Sequence, residues 1–184
     1  MQRRELDLGC GRNKHPGAVS LDMNPGVNPD IIFEFKNRDL LPFENDSFDK
    51  IWMIDFIEHV GDIEWLLSEV HRVGKPNAEV QIKYPHYSGR NSYSDLTHVH
   101  HLGINIFDHY DPSTRNGKRY SYYTKFDRNF PYEIKDTKLL FSHPGIKHVS
   151  GLLSRLTGKK IYEAYLSGIF PISDVETILR IIKN

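Results

Sequence analysis

The sequence predicts a single-domain α/β protein built on a parallel sheet with crossovers, and three observations carry that prediction. Short apolar runs alternate with connecting segments through the first half of the chain. One connection, beginning at Asp62, has helical periodicity and leads straight into another apolar run. The first run ends in Gly9-Cys10-Gly11 and the second ends in an acid, Asp22. That is the arrangement expected where a ligand meets the carboxyl edge of an open sheet.

Each element follows from local chemistry. Leu6 to Leu8, Ala18 to Leu21 and Ile31 to Phe35 are too short for helices and are punctuated by Gly, Pro and Asn, so they read as strands. Ser47 to Ile54 reads the same way. Ile63, Leu66, Leu67 and Val70 then recur at helical spacing behind Asp62, a suitable N-cap, and Gly74 and Pro76 stop that helix. "AEVQIKY" follows as a strand. From Pro85 to Pro131 the texture turns to Tyr, His, Asn and Ser without periodicity, which predicts an insert or lid on the ligand side of the sheet. "PYEIKDTKLLFS" and "DVETILRIIKN" read as two late strands. Between them Ile146, Val149, Leu153 and Leu156 predict an amphipathic helix, and Lys159 to Phe170 a further one.

Composition narrows the function classes. At 184 residues the chain is expected to be one domain, 1–184, with the 85–131 insert inside it. Twenty-four basic and 24 acidic side chains leave no field for a polyanion, which disfavours nucleic acid as the main partner. The single cysteine, Cys10, has no partner for an intrachain disulfide, and no leader-like segment opens the sequence; a cytoplasmic protein is the expectation. No apolar run approaches the roughly 20 residues of a membrane-spanning helix.

Gly9 and Gly11 allow a tight turn and the approach of a ligand where a Cβ would collide. Asp22, one strand over, could accept from both hydroxyls of a ribose. The same residues would also serve as a plain turn followed by a solvated acid. A dinucleotide asks for a third glycine and a helix N-terminus at the pyrophosphate. Here that position is Lys14, with no room for a helix before Gly17, so a dinucleotide is disfavoured.

Taken in order, "LDLGCG", Asp22, "RDLLPFENDSFDKIWMIDFIEHV" and "EVHRVGKPNAEVQI" resemble the motifs of class I S-adenosylmethionine-dependent methyltransferases of the small methyltransferase-domain type. The resemblance covers roughly the first half of the chain. It implies a three-layer Rossmann-like sheet of strand order 3-2-1-4-5-7-6, its last strand antiparallel, and S-adenosyl-L-methionine as cofactor, leaving as S-adenosyl-L-homocysteine. It further implies that Asp7, Gly9, Cys10 and Gly11 hold the methionine end of the cofactor, Asp22 and Met23 the ribose side, and Asp39 and Leu40 the adenine, with Asp55 also on the cofactor side. Asp7 or nearby carbonyls would meet the ammonium, and N–H groups of the Gly9 to Arg12 loop the carboxylate.

Only 13 positions separate Gly9 from Asp22, too few for the family's first crossover helix, so that helix is expected to be missing or reduced. One sheet face is then short of cover. The segment from Pro144 to Pro171, or a second subunit in a homodimer, is expected to hide its apolar side chains.

Glu58 and His59, just beyond the fourth strand, are the candidate catalytic residues, His59 as a base because a free imidazole titrates at about pH 6.5; both could equally tether the loop before the next helix. The acceptor expected is a small molecule or glycan-type compound. Two other classes stay open: a cofactor-binding module without catalysis, and a metal-dependent hydrolase drawing on His98 and His100 along one side of a strand, with Asp95 or Asp108 as its carboxylate. No cysteine pair or His-x-x-x-His helix supports the last, and no metal site is expected.

Overall fold

A computed structural model of the protein describes residues 4–36, 38–119 and 130–183. Seven strands, β1 (Glu5–Leu8), β2 (Val19–Asp22), β3 (Ile31–Ile32), β4 (Phe48–Ile54), β5 (Gly74–Pro85), β6 (Tyr132–Leu140) and β7 (Asp174–Ile181), form one sheet. Its order is β3-β2-β1-β4-β5-β7-β6, with β7 antiparallel to both β5 and β6 and the rest parallel. The helices are α1 (Ile63–Val73), α2 (Asn91–Ser94), α3 (Arg115–Arg119), α4 (Lys147–Thr157) and α5 (Lys159–Tyr165). The expected topology therefore holds. The part of the insert from 120 to 129 lies outside the described residues.

α1 forms where the periodicity places it. Asp62 accepts from the Trp65 N–H at 2.9 Å as N-cap, and Leu66, Leu67, Val70 and Val73 are fully buried against the sheet. Each such side chain contributes at most about 1.5–3 kcal/mol. At the other end the Lys183 ammonium donates to the carbonyls of Arg72 (3.1 Å) and Gly74 (2.6 Å), a cation where the helix leaves carbonyls unpaired. β5 starts directly at Gly74, with no turn after the helix; any Cβ there would lie 2.2 Å from Ile181 Cδ1.

The buried His71 on α1 donates from Nε2 to the Ile182 carbonyl at 2.9 Å and packs edge-on against Tyr132. Burial holds its imidazole below the ordinary histidine range. The unfolded chain takes up a proton as pH falls through about 6.5, while the folded chain resists it to lower pH. The contribution is whole above that point and shrinks below it. Between pH 7 and 5.5 the urea midpoint of the wild type is expected to fall further than that of His71→Gln; equal falls would clear His71 of this role.

β3 is shorter than the Ile31–Phe35 run suggests, because Phe33 and Phe35 leave the sheet for an aromatic cluster. The Phe35 ring meets Phe33 at 5.2 Å and Phe56 at 4.6 Å.

No helix lies between β1 and β2. His15 takes its place: its ring stacks on Trp52 at 3.9 Å, and its backbone N–H donates to Asp7 Oδ2 at 2.9 Å. The uncovered face does not need the apolar cover expected for it. Leu6, Ile51, Met53, Val80, Ile82, Leu179 and Ile181 all point to the buried face. The opposite face carries polar pairs across the strands. Trp52 Nε1 donates to Glu5 at 2.8 Å, Lys50 pairs with Glu79 at 2.6 Å, Gln81 donates to Glu176 at 2.8 Å, and Arg180 pairs with Glu133. Such a surface can face water, so no second subunit is required to hide it. The 144–171 segment instead ties down the insert: Glu163 on α5 meets His86 Nε2 at 2.9 Å and the Ile104 N–H at 2.8 Å, and Lys160 meets Asp108 at 2.8 Å.

Candidate active site

The carboxyl ends of β2, β1, β4 and β5 lie side by side and carry the residues singled out from sequence. After β1 the chain turns through Gly9 (φ +65°) and Gly11 (φ +52°). The Gly9 and Cys10 N–H groups both donate to the Leu21 carbonyl, at 2.9 and 3.1 Å, clamping the loop to β2. Asp22 completes the clamp: Oδ2 accepts from the Gly11 N–H at 2.9 Å and Oδ1 from the Asn24 N–H at 2.8 Å. It is therefore no solvated strand end but a carboxylate built into the glycine loop, half-buried at the sheet edge.

The two glycines have different reasons. A Cβ on Gly9 would fall 2.0 Å from Phe56 Cδ2, so the space it leaves is filled by the protein's own ring rather than by a ligand. A Cβ on Gly11 would meet nothing within 4 Å. Gly11 is thus the point at which a ligand can come close. The expectation that N–H groups of the Gly9 to Arg12 loop meet a carboxylate is narrowed, because those of Gly9, Cys10 and Gly11 are already paired within the protein. Asp7, buried, has its Oδ2 engaged by the His15 N–H and, at 3.3 Å, by His15 Nδ1. His15 had no signal in the sequence beyond its place in a short connector. Cys10 is buried, and burial followed by the nearby Asp22 and Asp7 charges raises its thiol, so it is not a reactive one.

Met23 and Leu40 stand 52% and 69% exposed, apolar surface available to a flat ring. Asp39 is exposed beside Leu40. The loop that bears them is fixed from α1: Arg72 donates to the carbonyls of Phe43 (2.8 Å) and Leu41 (3.0 Å) and forks onto both oxygens of Glu69, which also accepts from the Leu41 N–H at 2.8 Å. A bidentate guanidinium gives that loop a defined position.

Beyond β4 lies a cavity of about 380 Å³ lined by Asp55, Glu58, His59, Lys83, His98 and Asp174 among others. Asp55, which the resemblance puts on the cofactor side, lines this cavity with both carboxylate oxygens on Lys83 Nζ, at 2.9 and 2.8 Å. Glu58 is 1% exposed, and neither of its carboxylate oxygens has a hydrogen-bond partner. Burial, reinforced by the Asp55 charge, pushes its carboxyl up to about 7. Its own backbone carbonyl accepts from the N–H groups of Val99 and His100, so the tether expected of this loop is present in the main chain. That frees the side chain for another task.

The histidines of the insert do not act together. Residues 95 to 101 form no strand, and His98 and His100 part company: His98 turns to Glu58, its Nε2 3.9 Å from Oε1, while His100 Nε2 lies 3.3 Å from the Gly61 carbonyl. His101 bonds Ser92 at 2.9 Å, and the fully buried His86 is spent on Glu163 and Ser88. Asp108, the other carboxylate considered, is paired with Lys160. The absence of a metal-ligand spacing along the chain proved a poor guide to space, since the fold gathers Glu58, His59 and His98 with ligand atoms within 4.8 Å of one another.

Residues 6–82 match the family model described as a methyltransferase domain, and these residues contain the glycine loop, Asp22 and the strand leading to Glu58. Over that stretch the chain carries a methyltransferase domain, and its strand order is that of the class I S-adenosylmethionine-dependent fold. The family's cofactor, S-adenosyl-L-methionine, fits what this domain presents: open space at Gly11, a carboxylate fixed beside it and apolar surface at Met23 and Leu40. The methyltransferase domain is similar to methyltransferase GfsG of Streptomyces halstedii, 26% identical over 99 residues that cover 42% of this chain and 36% of that protein. The chain thus spans about a third of the length of that curated relative. In fold it is similar to an S-adenosylmethionine-dependent methyltransferase from Archaeoglobus fulgidus (TM-score 0.54, 18% identity, covering 97% of this chain and 86% of that one). It is likewise similar to a sarcosine dimethylglycine methyltransferase candidate from Galdieria sulphuraria (TM-score 0.60, 16% identity, 97% and 78% covered). Among the described residues no helix is long and apolar enough to cross a membrane.

Proposed function

We propose that the protein transfers a methyl group from S-adenosyl-L-methionine to an oxygen- or nitrogen-bearing small molecule or glycan-type acceptor, releasing S-adenosyl-L-homocysteine. The observation that carries this reading is the juxtaposition at one sheet edge of Asp22, locked to the glycine loop, with a polar cavity beyond β4. When bound, the cofactor supplies a methyl group already activated by its sulfonium, so the protein's task is chiefly alignment. Asp22 keeps lone pairs for the ribose hydroxyls. Met23 and Leu40 flank the adenine, with Asp39 accepting from its amine. Gly11 gives the amino-acid end close approach, and Asp7 and Cys10 support the loop from behind.

The acceptor side is the cavity. Its volume suits a small molecule or one or two sugar units, and its polar lining suits a hydroxylated one. Asp55, Glu58, Asp95 and Asp174 outnumber Lys83 there, a charge balance that repels a phosphate backbone. Glu58 and His59 are the residues that act on the acceptor.

Purified protein incubated with S-adenosyl-L-methionine and a panel of sugars, glycosides and small hydroxylated compounds is expected to release S-adenosyl-L-homocysteine with at least one of them. Tight cofactor binding with no release across the panel would favour a binding module instead. No cofactor binding at all would end both readings.

A further inference from the structure

We propose that Glu58, His59 and His98 together bind a divalent transition-metal ion of the zinc class, with open coordination positions facing the cavity beyond β4. Hydrogen-bond direction fixes which nitrogens carry hydrogens. The Thr97 hydroxyl donates to Asp95 Oδ1 at 2.6 Å, so toward His59 Nδ1, 2.9 Å away, it can only accept. Nδ1 of His59 is therefore the protonated nitrogen, with the Thr97 carbonyl as a second acceptor at 3.3 Å. In His98, Nδ1 lies 3.2 Å from the Ser92 carbonyl, which again demands a donor. In the neutral form both imidazoles then carry their lone pair on Nε2.

Both rings lie beside a carboxylate with no hydrogen-bond partner of its own. Glu58 is 99% buried, both its oxygens lack a hydrogen bond, and its Oε1 is 3.9 Å from His98 Nε2, too far for a hydrogen bond. One ligand atom from each of the three groups lies within 4.8 Å of the others. A buried, unpaired carboxylate is costly, and a cation between the three groups removes that cost. Around an ion held at about 2.0–2.2 Å, ligand atoms stand roughly 3.3 Å apart, so the cluster has to close by up to about 1.5 Å.

The surroundings agree in charge and in support. Asp55, Asp95 and Asp174 line the same cavity, against Lys83 among the described residues. Each imidazole has its remote N–H fixed by a carbonyl or by the Thr97–Asp95 chain, which is how ligating histidines are oriented. Two imidazoles and one carboxylate suit zinc and its neighbours better than magnesium or calcium, and three protein ligands leave room for a further oxygen. What that oxygen is, water or an acceptor hydroxyl, rests on the methyltransferase reading; binding of the ion does not.

The test uses the whole chain stripped with a chelator and desalted. Zinc chloride is titrated by calorimetry and cobalt(II) by visible absorption, and S-adenosyl-L-methionine is titrated separately. One ion per chain is expected, with cobalt(II) d–d bands, and Glu58→Gln and His98→Ala should each weaken metal binding by at least about tenfold while circular dichroism stays unchanged. His148→Ala, on an exposed residue, should leave it as it is. Zinc and cobalt(II) that bind the wild type no more tightly than the Glu58→Gln/His98→Ala double variant would overturn the proposal. Normal cofactor binding in that case would leave the proposed function standing; metal binding without cofactor binding would do the reverse.

Discussion

Asp22→Ala is expected to weaken S-adenosyl-L-methionine binding by about 1.5–3 kcal/mol, roughly 10- to 150-fold, as loss of a charge-assisted hydrogen-bonded pair does. The structure adds a complication that can be turned to use. Asp22 also accepts from the Gly11 and Asn24 N–H groups, so alanine strips the loop of its latch as well as the ribose of its acceptor. Asp22→Asn separates the two effects. Its amide oxygen can still take one of the backbone donors and its size is unchanged, but the charge is gone. A variant whose thermal midpoint in the absence of cofactor stays near wild type while calorimetric affinity falls would assign the loss to the ribose. Unchanged affinity in both variants would remove Asp22 from the cofactor site altogether.

What could be read in the sequence follows from the range of the interactions involved. Strands bounded by Gly, Pro and Asn, and the helix behind Asp62, are local matters, and they stand close to where spacing puts them. Asp22 was legible because an acid at a strand end needs only the neighbouring strand to define its place. The polar sheet face was also legible and was misjudged: in "FDKIWMI" and "AEVQIKY" polar residues alternate with apolar ones, the sign of a strand buried on one side only. An apolar face in want of a cover would have shown continuous apolar runs.

Other features depend on partners distant along the chain. The reason for Gly9 is Phe56, three strands further along the sequence, and the stack of His15 on Trp52 replaces a helix with a single side chain. His98 reaches Glu58 because the insert folds back over the end of β4, with the Glu58 carbonyl accepting from the Val99 and His100 N–H groups. No periodicity within the insert records that return. Asp55 is a further case: the ion pair that holds its carboxylate is with Lys83 on β5, a partner the sequence around Asp55 does not announce.

Gly9→Ala and Gly11→Ala are expected to fail in opposite ways, although the two glycines share a loop and a positive φ. At Gly9 the new methyl group overlaps the Phe56 ring, at 2.0, 2.5 and 2.8 Å from three of its carbons, and Phe56 is itself packed edge-on against Phe35. Overpacking costs about 1–3 kcal/mol and the left-handed backbone about 1–2 more. For a chain of this size a loss of several kcal/mol lowers the thermal midpoint by roughly 5–15 °C. At Gly11 only the backbone term applies, because its methyl group points into open space. Stability should fall by about 1–2 kcal/mol, while cofactor affinity drops because the methyl group occupies the approach to the Asp22 clamp. Phe56→Ala provides the check on the first half. With the ring gone, adding Gly9→Ala should cost less than it does in the wild type, a coupling of about 1–3 kcal/mol in a double-mutant cycle. If the two substitutions are simply additive, the close contact between Gly9 and Phe56 is not what requires glycine there, and the backbone conformation alone must account for it.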